Sequence, residues 1–341
     1  MTELIFLGSG GGRFTTIFQE RATGGLYIKE KRTNLHIDPG PGALVRLHEQ
    51  RLDPTQTDIL LVSHAHPDHS NDLNILAEAM TVGGKMRRGA VLGSRSVIKG
   101  GEGFDPVFSR YHNSLVKTVR YLKDQEKFIY KDVIIKSFPC FHSDETSIGF
   151  NIFTRYGPVA YVSDTTFHQD IIRSVKGARI LILPLTRPSG ARIDHHICTE
   201  DAVRIVAEVK PELVLLNHLG LKILREGPGK EAAIIEAETG VRSIAATDGL
   251  RVKMEEELAV YEDDNSGWPR KSKGRNRSRR RRGNRSAGKQ GGQAGGGKDG
   301  KAEPKKVREE KPEQSRDKKP EQALERKSEQ TLQAVQQDSG N

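Results

Sequence analysis

Short apolar runs, bounded by polar or glycine-rich turns, recur along the first 260 residues. Glu3-Leu4-Ile5-Phe6-Leu7 reads as a strand ended by Gly8-Ser9-Gly10-Gly11-Gly12. Extended runs follow at 25–29 and 34–38, the second closed by the turn signal Asp38-Pro39-Gly40-Pro41-Gly42. Asp58-Ile59-Leu60-Leu61-Val62 reads as a buried strand, and further strands are predicted at 90–93, 133–138, 158–162, 213–216 and 242–246. Helical spacing appears at Leu73, Leu76, Ala77 and Met80, behind a cap at Ser70 or Asn71. It returns at Ala202, Ile205, Val206 and Val209 after Thr199-Glu200-Asp201, and over 229–239, where Gly240 stops it. Strands alternating with helices predict an α/β body. Residues 81–131 carry little pattern beyond the run at 90–93, and no repeat or heptad is visible.

Between the strand ending at Val62 and the following helix lies Ser63-His64-Ala65-His66-Pro67-Asp68-His69. Three imidazoles and a carboxylate are crowded into one short loop. A divalent cation reconciles them, because neutral imidazole nitrogen and carboxylate oxygen are both good ligands for zinc and similar metals. The alternative, a solvated histidine-rich loop, fits so dense a cluster poorly. Four later runs repeat the arrangement. The strand at 133–138 leads to His142-Ser143-Asp144, and that at 158–162 to Ser163-Asp164-Thr165. The run at 213–216 ends at Asn217-His218, and 242–246 at Thr247-Asp248-Gly249. Active groups of layered α/β folds gather at such strand ends, where loops converge on a rigid sheet. The glycine run at 8–12 lacks the Gly-Lys-Ser/Thr of a phosphate loop and reads as a tight turn approaching a site. His112 has no partner in sequence and is assigned no role.

Charge divides the chain. Residues 265–341 hold 22 Lys+Arg against 10 Asp+Glu, leaving 33 against 35 in residues 1–264. The whole-chain excess of +10 therefore belongs to the tail. Seven arginines lie between Arg275 and Arg285, followed by a glycine-rich spacer and a Lys/Glu/Pro/Gln mixture almost free of large apolar residues. Such a segment cannot bury enough surface to order itself, so the expected organisation is a folded domain over 1–260 and a disordered basic tail over 265–341, with weak helicity at 321–337. Clustered arginine also suits RNA contact by counterion release. With only Cys140 and Cys198 there is no disulfide framework, which suits a reducing compartment. The start lacks a secretory signal, and no apolar run approaches the roughly 20 residues that span a bilayer. A cytoplasmic protein without membrane association is expected, with homodimerisation open.

The set His64-x-His66-x-Asp68-His69, then His142, Asp164 and His218, resembles the metallo-β-lactamase superfamily of hydrolases over residues 1 to about 255. The resemblance implies an αββα four-layer sandwich and two divalent metal ions, zinc first, with manganese or iron as alternatives. It implies that His64, His66 and His142 hold one ion, Asp68, His69 and His218 the other, and that Asp164 bridges them. Phe6-Leu7-Gly8-Ser9-Gly10, Asp38, the stretch from His142 to Phe150 and Ser163-Asp164-Thr165 are similar to the phosphodiesterase branch that includes ribonuclease Z. His195-His196 stands where that branch carries an extra catalytic histidine, and His196 lies 22 residues before His218, as in its small cyclic-phosphate phosphodiesterases. Only 21 residues separate His142 from Asp164, enough for one hairpin but not for the long arm that grips transfer RNA.

The activity implied is phosphodiester hydrolysis of a nucleotide, cyclic phosphate or RNA end by a hydroxide held on the metals, since a divalent cation lowers the pKa of water from 15.7 to about 7. Asp68, His195 and His196 are the candidate catalytic residues, Asp68 doubling as ligand and His196 leading His195 as proton donor to the leaving group. Asp38 and Asp248 are expected to orient ligand histidines. Hydrolysis of a thioester, lactone or lactam by the same metals is the alternative. From another class comes an RNA-associated binding protein acting through its tail. That last reading predicts salt-sensitive RNA binding that disappears on truncation at 264, and a gel-shift series over salt concentration showing unchanged affinity would remove any nucleic-acid role for the tail.

Overall fold

The computed structural model describes residues 1–101 and 103–262; the tail expected to be disordered lies outside the described residues. Two mixed sheets stack face to face. The first runs, edge to edge, Leu258–Glu262, Leu250–Met254, Thr2–Phe6, Leu26–Lys29, Asn34–Ile37, Ile59–Val62, Ala90–Gly93 and Thr118–Tyr121. The second runs Ser243–Ala245, Leu213–Asn217, Ile180–Pro184, Gly157–Tyr161, Ile148–Thr154, Val133–Pro139 and Lys127–Tyr130.

Alternation along each strand assigns its side chains to separate cores. Ile59 and Leu61 point between the sheets, as do Ile180, Ile182, Leu213 and Leu215 from the second sheet. Leu60 and Val62 turn outward to pack under the helix Leu73–Met80 through Leu73, Leu76, Ala77 and Met80. Leu181, Leu183, Val214 and Leu216 turn outward on the other side, beneath the helices Gln169–Val175, Thr199–Val209 and Pro228–Thr239. Strands buried on both faces require continuous apolar runs. That is the physical reason Ile59–Val62 and Leu213–Asn217 read as runs, while Ile180–Pro184, equally buried, is a strand beyond those expected; the packing gives the four layers helix, sheet, sheet, helix.

Several local expectations shift. The helix after the histidine loop is two pieces, Pro67–Ser70 and Leu73–Met80. Neither Ser70 nor Asn71 caps the second: Asp72 stands at its N-cap, while the Ser70 hydroxyl donates to the carbonyls of Ala65 and His66. Cys198 occupies the N-cap of Thr199–Val209, where Asp201 accepts from its backbone N–H and its thiol. Gly240 does end its helix, at φ 69°. Residues 81–131 supply the expected strand Ala90–Gly93, and also the unexpected helices Arg95–Lys99 and Arg110–Leu115 and two edge-region strands, Thr118–Tyr121 and Lys127–Tyr130. Their alternating exposed and half-buried residues give no continuous apolar signal. Among the described residues no helix is long and apolar enough to cross a membrane.

Leu61 is fully buried between the sheets. Leu61→Ala should therefore lower unfolding free energy by about 2–5 kcal/mol in urea titration, and a loss below about 1 kcal/mol would contradict its central placement.

Candidate metal centre

One end of the sandwich collects the carboxyl ends of the strands Asn34–Ile37, Ile59–Val62, Gly157–Tyr161, Ile180–Pro184 and Leu213–Asn217. Strands Asn34–Ile37 and Ile59–Val62 are parallel, so Asp38 and Ser63 emerge side by side. The Ser63 backbone N–H and hydroxyl each donate to Asp38 at 2.7 Å. The same carboxylate accepts from the Tyr161 hydroxyl at 2.8 Å and pairs with His69 Nδ1 at 2.9 Å. Asp38 thus joins both sheets to the histidine loop, holding φ at +50° to do so.

All seven side chains implied as ligands meet at this end. His64 Nε2 lies 3.0 Å from His66 Nδ1, which lies 3.1 Å from His142 Nε2. His218 Nε2 lies 3.3 Å from Asp68 and 3.2 Å from Asp164. His69 Nε2 stands 3.7 Å from each of those carboxylates. Two triads, His64–His66–His142 and Asp68–His69–His218, each have ligand atoms within 4.8 Å of one another. Asp164 groups with His64 and His69, and again with His142 and His196.

The nitrogens turned away from the centre are held by other groups. His64 Nδ1 pairs with Ser63 Oγ, His142 Nδ1 with the His195 carbonyl and His218 Nδ1 with Thr186 Oγ1. Such outer partners fix ring orientation and leave the inner nitrogen for a metal. His69 Nε2 and Asp164 Oδ1 are buried without a hydrogen-bond partner. A proton on His66 Nδ1 can serve only one of its two neighbours, His64 Nε2 at 3.0 Å and His142 Nε2 at 3.1 Å, whereas all three nitrogens match neighbouring ligands on one zinc ion. The donor set therefore fits a divalent cation.

Electrostatics agree. Burial drives His64 well below the ordinary imidazole range, with His69 adding to the effect and Asp164 opposing it. Burial likewise brings His142 down to about 4 against the pull of Asp164. Burial opposes charge on Asp164 and on His69 too. There the pair interaction wins: His218 and His69 hold Asp164 well below the usual carboxylate range, and Asp68 and Asp164 raise His69 well above its own. Neutral imidazoles beside ionised carboxylates are the protonation states a cation requires, and at His69 a cation would displace a proton.

Glycines bring backbone to the centre. The Gly12 N–H donates to Asp68 at 2.9 Å and lies 3.1 Å from His218 Nε2. A Cβ on Gly11 would fall 1.9 Å from the His218 ring, so only glycine permits that approach. Asp248, expected to orient a histidine, instead accepts from Ser9 N–H and hydroxyl and from Ala22 N–H, pinning the glycine loop. The adjacent histidines separate: His196 sends Nδ1 to 3.7 Å from Asp164 and 3.4 Å from Thr186 Oγ1, while His195 is exposed and supplies its carbonyl. Two participants carried no sequence signal, Tyr161 and Thr186, because each looks like an ordinary strand-end residue until the sheets are stacked.

Comparison with known proteins gives the following. The Beta-lactamase superfamily domain matches residues 33–219. An uncharacterised protein of Methanocaldococcus jannaschii is 42% identical over 254 residues, covering 74% of this chain and 95% of the relative. Ribonuclease Z of Saccharolobus solfataricus is 21% identical over 268 residues, covering 64% of this chain and 89% of that protein. The crystal structure of the metallo-beta-lactamase fold protein YhfI from Bacillus subtilis superposes with a TM-score of 0.61 at 20% identity, covering 73% and 98% of the two chains.

Because Asp38 orients His69 and the base of the histidine loop together, Asp38→Asn should weaken zinc binding about 10–100-fold. Competition against a chromophoric chelator measures this, and wild-type affinity in the variant would remove Asp38 from the site's support.

Proposed function

The chain belongs to the beta-lactamase superfamily of metal-dependent hydrolases, and on that premise we propose that it is a dinuclear metal phosphodiesterase acting on a nucleotide, cyclic phosphate or RNA end. The observation that carries this reading is the convergence of two ligand triads on Asp164, with His69 Nε2 and Asp164 Oδ1 buried and unpartnered between them. His64, His66 and His142 would hold one ion and Asp68, His69 and His218 the other, Asp164 serving both. Two bound divalent cations, zinc or manganese, supply Lewis acidity toward a water and toward phosphoryl oxygens.

The protein's own share is orientation and proton delivery. Asp38, Thr186 and the His195 carbonyl keep three ligand rings aimed inward. His196 is the proposed donor to the leaving oxygen, through Nε2, since Nδ1 already faces Thr186 and Asp164. A phosphodiester needs that proton because its leaving group is an alkoxide, whereas a thioester does not. The exposed ring of His195 is less suited, its contribution being made through the backbone.

The likeness to ribonuclease Z favours a phosphodiester, and the length of one loop narrows the substrate. Ile148–Thr154 and Gly157–Tyr161 pair as a tight antiparallel hairpin between His142 and Asp164. No arm for gripping transfer RNA extends there, which favours a nucleotide, cyclic phosphate or free RNA end. RNA contact through the arginine-rich tail remains part of the proposal.

Zinc- or manganese-loaded protein should hydrolyse bis(p-nitrophenyl) phosphate in preference to a thioester and a lactone in the same panel. On a dinucleotide or 2′,3′-cyclic nucleotide, whose leaving group is an alkoxide, His196→Ala should lower kcat about 10²–10⁴-fold with both metal equivalents retained, and His195→Ala much less. Bis(p-nitrophenyl) phosphate, whose phenolate leaves without a proton, should respond far less to either change. Lost metal in His196→Ala would make that residue a ligand support, and turnover confined to the thioester or lactone would overturn the reading.

A further inference from the structure

We propose that Asp144 is the positioning residue for the cation site formed by His64, His66 and His142, and that it serves this site separately from its neighbour. The inference rests on the dinuclear reading above. Asp144 lies two residues past His142 and is 2% exposed, yet the hydrogen bonds to its carboxylate come from neutral backbone and hydroxyl groups. Burying a carboxylate without a cation is costly unless donors satisfy it fully.

Four donors do so. The Ala65 backbone N–H donates to Oδ2 at 3.0 Å and the Ser96 hydroxyl donates to the same oxygen. The Thr146 backbone N–H and hydroxyl donate to Oδ1 at 3.0 and 2.9 Å. Ala65 is the residue between His64 and His66, so the peptide gripped by Asp144 sets the direction of both rings. The carboxylate also stands on the strand-end loop that carries His142. One side chain therefore fixes the separation between His142 and the His64–His66 pair. Ser96, at the start of the helix Arg95–Lys99, braces the arrangement from outside, its N–H donating to Thr146 Oγ1 at 3.0 Å.

The second triad is supported by other groups. His69 leans on Asp38, His218 on Thr186 and Asp68 on the Gly12 N–H. None of Asp144's side-chain partners belongs to that set. Asp144→Asn is the sharpest probe. Whichever way the amide turns, its NH₂ faces a backbone N–H, at Ala65 or at Thr146, and that donor loses its acceptor.

The test uses metal-free full-length protein titrated with zinc against a chromophoric chelator, and with cobalt followed by its visible spectrum. Wild type should take up two equivalents. Asp144→Asn should retain one at wild-type affinity and bind the other about 10–100-fold more weakly, with only one of two cobalt environments altered. A general structural defect would weaken both, so equal weakening of the two equivalents overturns the proposal, as does wild-type binding of both. Fewer than two equivalents in wild type would overturn the dinuclear reading itself and this inference with it. Should Asp144→Asn fail to fold, Ser96→Ala removes one donor and leaves the carboxylate. Selective weakening of one equivalent then supports the proposal, and no change in either overturns it.

Discussion

Asp164 is 3% exposed and reaches His218, His69, His196 and His142 at 3.2–3.8 Å through one oxygen, while its other oxygen meets no donor. With His196, seven ligand-type side chains around it come from four stretches of chain. Concentrating so many polar groups at a buried edge opposes folding unless something satisfies them. Part of that satisfaction is built in on the outward ring nitrogens, through Ser63 and Ser163 at His64, Asp38 at His69, the His195 carbonyl at His142 and Thr186 at His218. The inward atoms remain, and a cation is the one partner that neutral imidazoles and ionised carboxylates can share.

The sandwich makes this arrangement rigid. Each sheet is apolar on both faces, so the central strands have no freedom to slip by one residue without exposing a whole row of side chains. Fixed register fixes where each strand ends, and hence where Asp38, Ser63, Asp164 and His218 begin. Contacts across the two sheets, above all Tyr161 to Asp38, carry that register into the site. Precision in the metal centre is thus inherited from hydrophobic packing several residues away.

Function on such a frame is decided by what surrounds the ions. The short hairpin between His142 and Asp164, the glycine loop beneath His218 and the His195–His196 turn shape access without altering the ligand set. That division explains how a common metal-binding core serves different substrates: loops at strand ends vary while sheets hold the ligands.

The histidine loop was legible in sequence because its candidate ligands are local. His64, His66, Asp68 and His69 lie within one turn of strand-to-helix connection, and their chemistry is visible without any fold. Most strands buried on both faces were legible for a similar reason, since burial imposes unbroken apolar runs, although Ile180–Pro184 was not among those expected. The edge strands over 118–130 were not, because a half-exposed strand needs no such run. Nor could spacing distinguish His195 from His196, reveal that Asp248 pins Ser9 and Ala22, or single out Asp144 and Tyr161 as supports. Each of those roles is a hydrogen bond or approach between segments distant in sequence, and only stacking the two sheets brings such atoms within reach of one another.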